Sequence, residues 1–355
     1  MNNCWSNDLQ KLTPYMPGES DPYDSFIKLN TNENPYGPSE KSLRAIGDVL
    51  GSQLRLYPDS DNIELKKTIA KFHQLEPENV FVGNGSDEVL AHVFRGLFKK
   101  NEPILFPDIT YSFYPSYCNL FGIDFRRVEL DEKFRIKMGS FVCKSGGIIF
   151  PNPNAPTGIF VDVNHIKSLL NNVSSNCPVV IDEAYIDFGG VSVVPLVAEH
   201  PNLIVTRTLS KSHSLAGIRL GYAIADKNIV QALKLVKNSF NSYPVDSLAE
   251  AGAIAALNDR EHFLKNCGNI IANRSYLISK LEKIGFNVLP SLGNFVCARL
   301  EGVDGALVAE KLKDKGILVR HFKTPERLGG FVRITVGKMT DCQTLVSSLN
   351  HLFSP

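Results

Sequence analysis

From about residue 60 the chain alternates short apolar runs with stretches of helical length, and this alternation restricts the fold more than any other feature. Runs at 79–82, 104–106, 147–150, 179–182, 203–206 and 221–225 are rich in Val, Ile and Phe and have Gly or Pro nearby, while 87–98 reads as a helix. Strands this uniformly apolar are buried on both faces. The pattern therefore predicts an α/β fold, a mixed and mostly parallel sheet flanked by helices. After about residue 240 the texture changes. Helices are expected over 247–257 and 261–284, strands around 295–299, 317–320 and 332–335, and a last helix over 340–352. That is the pattern of a smaller α+β domain. The first thirty residues carry Pro14, Pro17, Gly18 and Pro22 and read as an extended arm. The expected division is an arm over 1–35, a large domain over 36–240 and a small domain over 241–355.

Composition narrows the function classes. The chain has 355 residues, 43% of them hydrophobic, enough for a large core. Its 38 basic and 37 acidic residues leave a net charge of +1, which argues against a nucleic-acid binder with a basic stripe. No apolar run approaches the ~18–20 residues that cross a bilayer, so no membrane partner is expected. The start, MNNCWSNDLQ, lacks the layout of a signal peptide. Seven scattered cysteines never fall in CxxC spacing, and eight histidines form neither HxxxH nor HExxH, so neither a disulfide framework nor a metal site is expected. A reducing cytoplasm fits this cysteine usage.

Four segments have the residue types that chemistry needs. In VFVGNGSDEVL a strand runs through a Gly-rich turn into a helix starting near Ser86, where backbone N–H groups suit a phosphate. The dinucleotide fingerprint GxGxxG fails there, because Glu88 takes the third glycine position after Gly83 and Gly85. The bland alternative is an ordinary turn with Ser86 as helix cap. In PVVIDEAYIDF a buried strand delivers Asp182 at its carboxyl end, with Tyr185 three residues on. A carboxylate there needs a partner, whether a ligand, a helix N-terminus or a core cation. In VTRTLSKSHSLAGIRLGYAIA, Ser210, Lys211 and Arg219 can surround a phosphate, and His213 reads as packing. The loop PNPNAPTG, 151–158, has three prolines and is a candidate for a cis peptide or a plain tight turn.

The combination is more specific than any part. With LTPYMPG, LNTNENPYGPS, LYPD and VRITVG in the same order, the sequence resembles the fold type I pyridoxal-phosphate (PLP) aminotransferases, and within them the histidinol-phosphate aminotransferase family. The resemblance runs from about Lys11 to Leu352. It implies a PLP enzyme exchanging an amino group between histidinol phosphate and 2-oxoglutarate or glutamate, as a homodimer with shared sites. Lys211 would bond covalently to the cofactor and then carry protons as acid and base. Asp182 would pair with the pyridine nitrogen. Tyr185 would donate to the ring oxygen, and Tyr111 would lie against the ring face. Gly85, Ser86, Asp87, Ser210 and Arg219 would hold the phosphate, with Tyr57 reaching it from the other subunit. Tyr15, Asn34, Arg320 and Arg333 would bind substrate, Arg333 gripping a carboxylate.

Three positions depart from the family pattern. Ala155 stands where Asn is usual before PTG, which leaves Asn154 or Tyr185 to serve the ring oxygen. Lys338 replaces Thr after VG, and SHS follows Lys211. Rival readings keep the fold and change the substrate: an aromatic or broad-specificity aminotransferase, or a threonine-phosphate decarboxylase. A non-catalytic PLP-fold module would have lost Lys211, Asp182 or Arg333, and all three are present. A nicotinamide dehydrogenase is weakened by Glu88.

Overall fold

A computed structural model of the chain describes residues 25–98 and 101–353, together with residues 4, 9, 12, 14, 18 and 19. Tyr15 lies outside the described residues. Two sheets organise the rest. The larger has seven strands: β2 (Val80–Asn84), β3 (Ile104–Pro107), β4 (Phe125–Val128), β5 (Gly147–Pro151), β6 (Val179–Asp182), β7 (Leu203–Thr208) and β8 (Leu220–Ala225). Their order is β2-β8-β7-β6-β5-β3-β4, parallel from β7 to β4, with β8 antiparallel to both its neighbours.

Both faces of this sheet are covered, and the side chains alternate between two cores. Val179 and Ile181 of β6 enter one apolar cluster and Val180 the other. Ile148 and Phe150 of β5 likewise oppose Ile149. This period of two on a doubly buried strand explains why the strands read as continuous apolar runs. Helices α1 (Glu40–Val49), α2 (Ile63–His73), α3 (Gly85–Gly96), α4 (Phe113–Phe121), α5 (Val163–Asn172) and α6 (Lys227–Asn238) accompany it. Asp162 and Asp226 cap α5 and α6 by accepting the N–H two residues on.

The second sheet has the order β1-β11-β12-β10-β9. Its strands are β1 (Ile27–Leu29), β9 (Phe286–Val288), β10 (Phe295–Leu300), β11 (Ile317–His321) and β12 (Phe331–Thr335). Helices α8 (Arg260–Ile284), α9 (Gly305–Asp314) and α10 (Met339–Phe353) cover one face through Leu277, Val308, Leu312 and Leu345. The other face packs Cys297 and Phe331 against Ile109, Leu130 and Ile159 of the larger sheet's loops.

The two cores do not follow a division of the chain at residues 36 and 241. β1 pairs in parallel with β11, so part of the arm belongs to the smaller sheet. Helix α7 (Ser247–Asn258) packs Ala249, Ala253 and Leu257 into the large core beside α1. Its residues are mostly small and apolar, with only Ser247, Glu250 and Asn258 polar, and such a helix gives no sign in sequence of which core it joins. No described helix is long and apolar enough to cross a membrane.

Candidate active site

The carboxyl ends of β6 and β7 and the start of α3 meet at one edge of the large sheet. β6 ends on Asp182, 5% exposed, because three apolar residues, Val179, Val180 and Ile181, carry the strand through the core up to it. Tyr114 donates its hydroxyl to Oδ2 at 3.1 Å and the Ala184 N–H donates to Oδ1 at 3.3 Å. Burial outweighs these bonds and pushes the carboxyl up to about 6.

Helix α3 begins at Gly85 without a side-chain cap. Asn84 turns its amide to the Pro244 carbonyl instead, at 3.1 Å, and Ser86 is not the capping residue. Glu88, the residue that spoils the dinucleotide fingerprint, accepts the Asn84 N–H at 2.6 Å. The first amides of α3 are thus left for an anion. Gly221 of β8 lies so close that a Cβ there would sit 2.2 Å from the Ser86 nitrogen, and one at Gly85 would sit 2.6 Å from Arg219 Nη2. Arg219 takes the left-handed conformation, φ 53°, and its Nη2 donates to Asp87 Oδ2 at 3.0 Å. Tyr111 donates to the other oxygen of Asp87 at 3.0 Å. On the β7 side, Thr208 donates to Ser210 Oγ at 3.0 Å, and both are buried.

Lys211 follows. Its Nζ donates to the Thr31 carbonyl at 3.4 Å and lies 5.8 Å from the centre of the Tyr185 ring. Asn32 donates to the Tyr185 hydroxyl at 3.0 Å, which leaves the phenolic proton to be donated elsewhere. Arg333 Nη2 donates to the Asn30 carbonyl at 2.8 Å. Three consecutive residues, Asn30, Thr31 and Asn32, therefore touch Arg333, Lys211 and Tyr185 in turn. This spacing keeps the guanidinium and the lysine amine within roughly 10 Å of each other. Arg320 faces Arg333 across the β11–β12 pair, and both guanidinium groups flank the Phe322 ring.

Other residues named from sequence have different surroundings. The Asn34 amide donates to the Lys211 carbonyl at 2.9 Å and accepts the Tyr36 N–H at 3.0 Å, so it braces the lysine segment. Asn154 is fully buried, and its Nδ2 donates to Ile109 O and Thr157 Oγ1. Cis peptide bonds precede Pro153 and Pro156 in its loop. Tyr57 stands apart from these groups, 81% exposed and stacked on Tyr243 at 4.7 Å. His213 packs on Phe263 at 4.7 Å, and burial lowers it to about 4, so it is neutral. Sequence reasoning missed Tyr114, Thr208 and Asn32. Thr208 falls within the TLSK motif already singled out, whereas Tyr114 is one of several aromatics in YSFYP and has no local mark.

The family model for aminotransferase class I and II matches residues 24–349. Histidinol-phosphate aminotransferase 2 of Thiobacillus denitrificans is 52% identical over 348 residues, covering 98% of this chain and 97% of its own. Histidinol-phosphate aminotransferase 1 of Pseudomonas fluorescens is 50% identical, covering 99% and 100%. The crystal structure of histidinol-phosphate aminotransferase from Sinorhizobium meliloti in complex with pyridoxal-5'-phosphate superposes with a TM-score of 0.89 at 22% identity, over 99% of this chain and 98% of that one.

Proposed function

The chain belongs to the class I and II aminotransferases, and from that premise we propose that it is the PLP-dependent enzyme that moves an amino group between histidinol phosphate and 2-oxoglutarate. The names of relatives 50–52% identical over nearly the whole chain support the substrate. The observation that carries the reading is the placement of Arg333, Lys211 and Tyr185 on consecutive residues 30–32. An amine held at Lys211 then has its anionic end in reach of an arginine pair. Histidinol phosphate offers a phosphate and glutamate a carboxylate, and one pair of guanidinium forks accepts either.

The residues present fit pyridoxal phosphate. Asp182, raised to about 6 by burial, has no cationic partner among the described residues, and a protonated pyridine nitrogen would keep it ionised. The uncapped amides of Gly85, Ser86 and Asp87, with Thr208, Ser210 and Arg219, make a donor set for a phosphate. When bound, the cofactor supplies an electron sink for the electrons left as a carbon-bound proton departs. The chain's own residues do the rest. Lys211 holds the cofactor, then takes that proton on Nζ and returns it at the neighbouring carbon. Tyr185 donates its hydroxyl to the ring oxygen. The Asn154 amide is already committed to Ile109 and Thr157, so Tyr185 serves without help from the loop that carries Ala155. Tyr111, fixed through Asp87, closes one ring face.

A second copy of the chain completes the site. Tyr57 stacks on Tyr243, and Leu54, Leu56 and Phe240, close to them in sequence, are exposed as well, which suits a two-fold interface from which Tyr57 reaches the partner's phosphate. Mixing Lys211→Ala with an inactive Tyr57 variant should restore about half the sites of each heterodimer. Heterodimers without any recovery would reject the shared site. A cytoplasmic location is the reading we adopt, supported by seven scattered cysteines that never fall in CxxC spacing. Stopped-flow absorbance with a panel of amino donors tests the substrate. Histidinol phosphate should convert the cofactor fastest, and a faster aromatic amino acid would favour the broad-specificity reading.

A further inference from the structure

A buried ionic chain runs beneath the lysine segment. Arg207, on β7 and 4% exposed, donates Nη1 to Glu183 Oε2 at 3.1 Å and Nη2 to Asp187 Oδ1 at 2.5 Å. Glu183 also accepts the Ser192 hydroxyl at 2.6 Å and the Val193 N–H at 2.7 Å. The second oxygen of Asp187 accepts the Ser212 hydroxyl at 2.6 Å. Each member sits beside a residue of the site. Glu183 follows Asp182, Asp187 lies two residues after Tyr185, Arg207 lies four before Lys211, and Ser212 follows Lys211.

The charges of Arg207 and Asp187 are committed. Burial alone would lower Arg207, but Asp187 and Glu183 raise it. Burial would raise Asp187, but the Arg207 charge and the hydrogen bond from Ser212 bring it below the ordinary carboxylate value. A buried pair of this kind adds little net stability, since desolvation offsets the attraction. Its direct effect is geometric, because the guanidinium fork fixes two carboxylates, and through them two loops, at set distances.

We propose that the chain Glu183–Arg207–Asp187–Ser212 is a positioning device that holds the Lys211 amine in register with Asp182 and Tyr185. The proposal rests on Lys211 being the residue that bonds the cofactor. Ser212 is the link that can be cut with least other change, since Ser212→Ala removes one hydroxyl and leaves the ion pairs intact.

The test uses the cofactor-loaded enzyme with Ser212→Ala, Ser212→Thr, Asp187→Asn and the double variant Ser212→Ala/Asp187→Asn. Ser212→Ala should lower kcat by roughly tenfold, with KM for glutamate within about twofold. Ser212→Thr, which keeps the hydroxyl, should recover to within about threefold of the parent kcat. The cofactor should leave Ser212→Ala roughly ten times faster on dialysis against a carbonyl scavenger, since a misplaced lysine bonds it less tightly. The double variant should be no slower than the worse single one, because both cut the same bond. If Asp187→Asn does not fold, the Ala and Thr variants at Ser212 decide alone. A Ser212→Ala enzyme that melts earlier while kcat and cofactor release stay unchanged would reduce the chain to core packing and overturn the proposal. Borohydride labelling of the parent protein separates this from failure of the underlying reading. A label at any lysine other than Lys211 would remove the premise, whereas a label at Lys211 with unaffected Ser212 variants would remove only the positioning role.

Discussion

The floor of the site and its rim hold their side chains by different means. At the floor, Asp182, Thr208 and Ser210 leave β6 and β7 inside the protein, none more than 7% exposed. Arg207 ties the two strand ends together through partners 20 and 24 positions away. At the rim, contacts join segments far apart in the chain. Arg333 reaches Asn30 across 303 positions, as does Asn32 with Thr335. Arg327 donates to the Asp131 carbonyl at 2.7 Å across 196 positions and covers the Phe134 ring at 4.9 Å. The floor is fixed by where strands end, and the rim by how one sheet docks on another. Changes at the floor should therefore act on the chemical step, and changes at the rim on substrate capture.

The largest effect belongs to the floor. Lys211→Ala should lower kcat by ~10²–10⁴ or more, through loss of the proton carrier, with the fold retained by circular dichroism. A rim substitution that cost as much would dissolve the distinction.

Next comes Asp182 in cofactor-free protein. Its carboxyl titrates at about 6 when folded, against 3.8 ordinarily, so the folded state binds the proton more tightly. The stability this confers is complete below pH ~4 and is lost as pH rises through ~6, a change of roughly 3 kcal/mol. Asp182→Asn should flatten that part of the curve, measured as the difference in Tm between pH 4 and pH 7.5 for variant and parent. Equal slopes in the two proteins would show that Asp182 is not held protonated.

At the rim, Arg333→Lys should raise KM for glutamate by roughly 10- to 100-fold, since an ammonium loses the paired fork, with kcat changed far less. A fall in kcat at constant KM would move Arg333 to the floor. The smallest effect is expected at Arg327, whose guanidinium is partly exposed. Arg327→Ala should raise KM for both amine substrates about threefold and leave cofactor retention unaltered, because the clasp only steadies the β11–β12 hairpin. Different effects on the two substrates would show that the hairpin selects between them.

The same contrast explains what the sequence made legible. Lys211, Asp182, Ser210 and Arg219 are marked by motifs at strand ends, where a few residues of backbone decide where a side chain goes. The strands carrying them were readable because doubly buried strands are apolar at every position. Tyr114, which faces Asp182, depends on which side of α4 meets the sheet, and YSFYP does not say. Asn32 and Asn34 serve Tyr185 and Lys211 only because β1 joins the smaller sheet, and three residues of strand in a Pro-rich arm give no hint of a partner near residue 317. Tyr57 was legible only through the family resemblance, since within one chain it touches none of the other site residues named from sequence.

That pairing of β1 with β11 also sets a timetable for synthesis. The strands of the large sheet have all been synthesised once β8 is made, but Ile27–Leu29 pairs with Ile317–Val319. At ~5–20 residues per second, β1 waits roughly 15 to 60 seconds for its neighbour. Asn30, Thr31 and Asn32 follow β1 directly, so the brace on Lys211 and Tyr185 is set only when the last tenth of the chain arrives. The nascent enzyme thus completes its floor early and stays catalytically silent until translation is nearly over. A message cut short before β11 would yield a chain that carries Lys211 but lacks both the partner of β1 and Arg333.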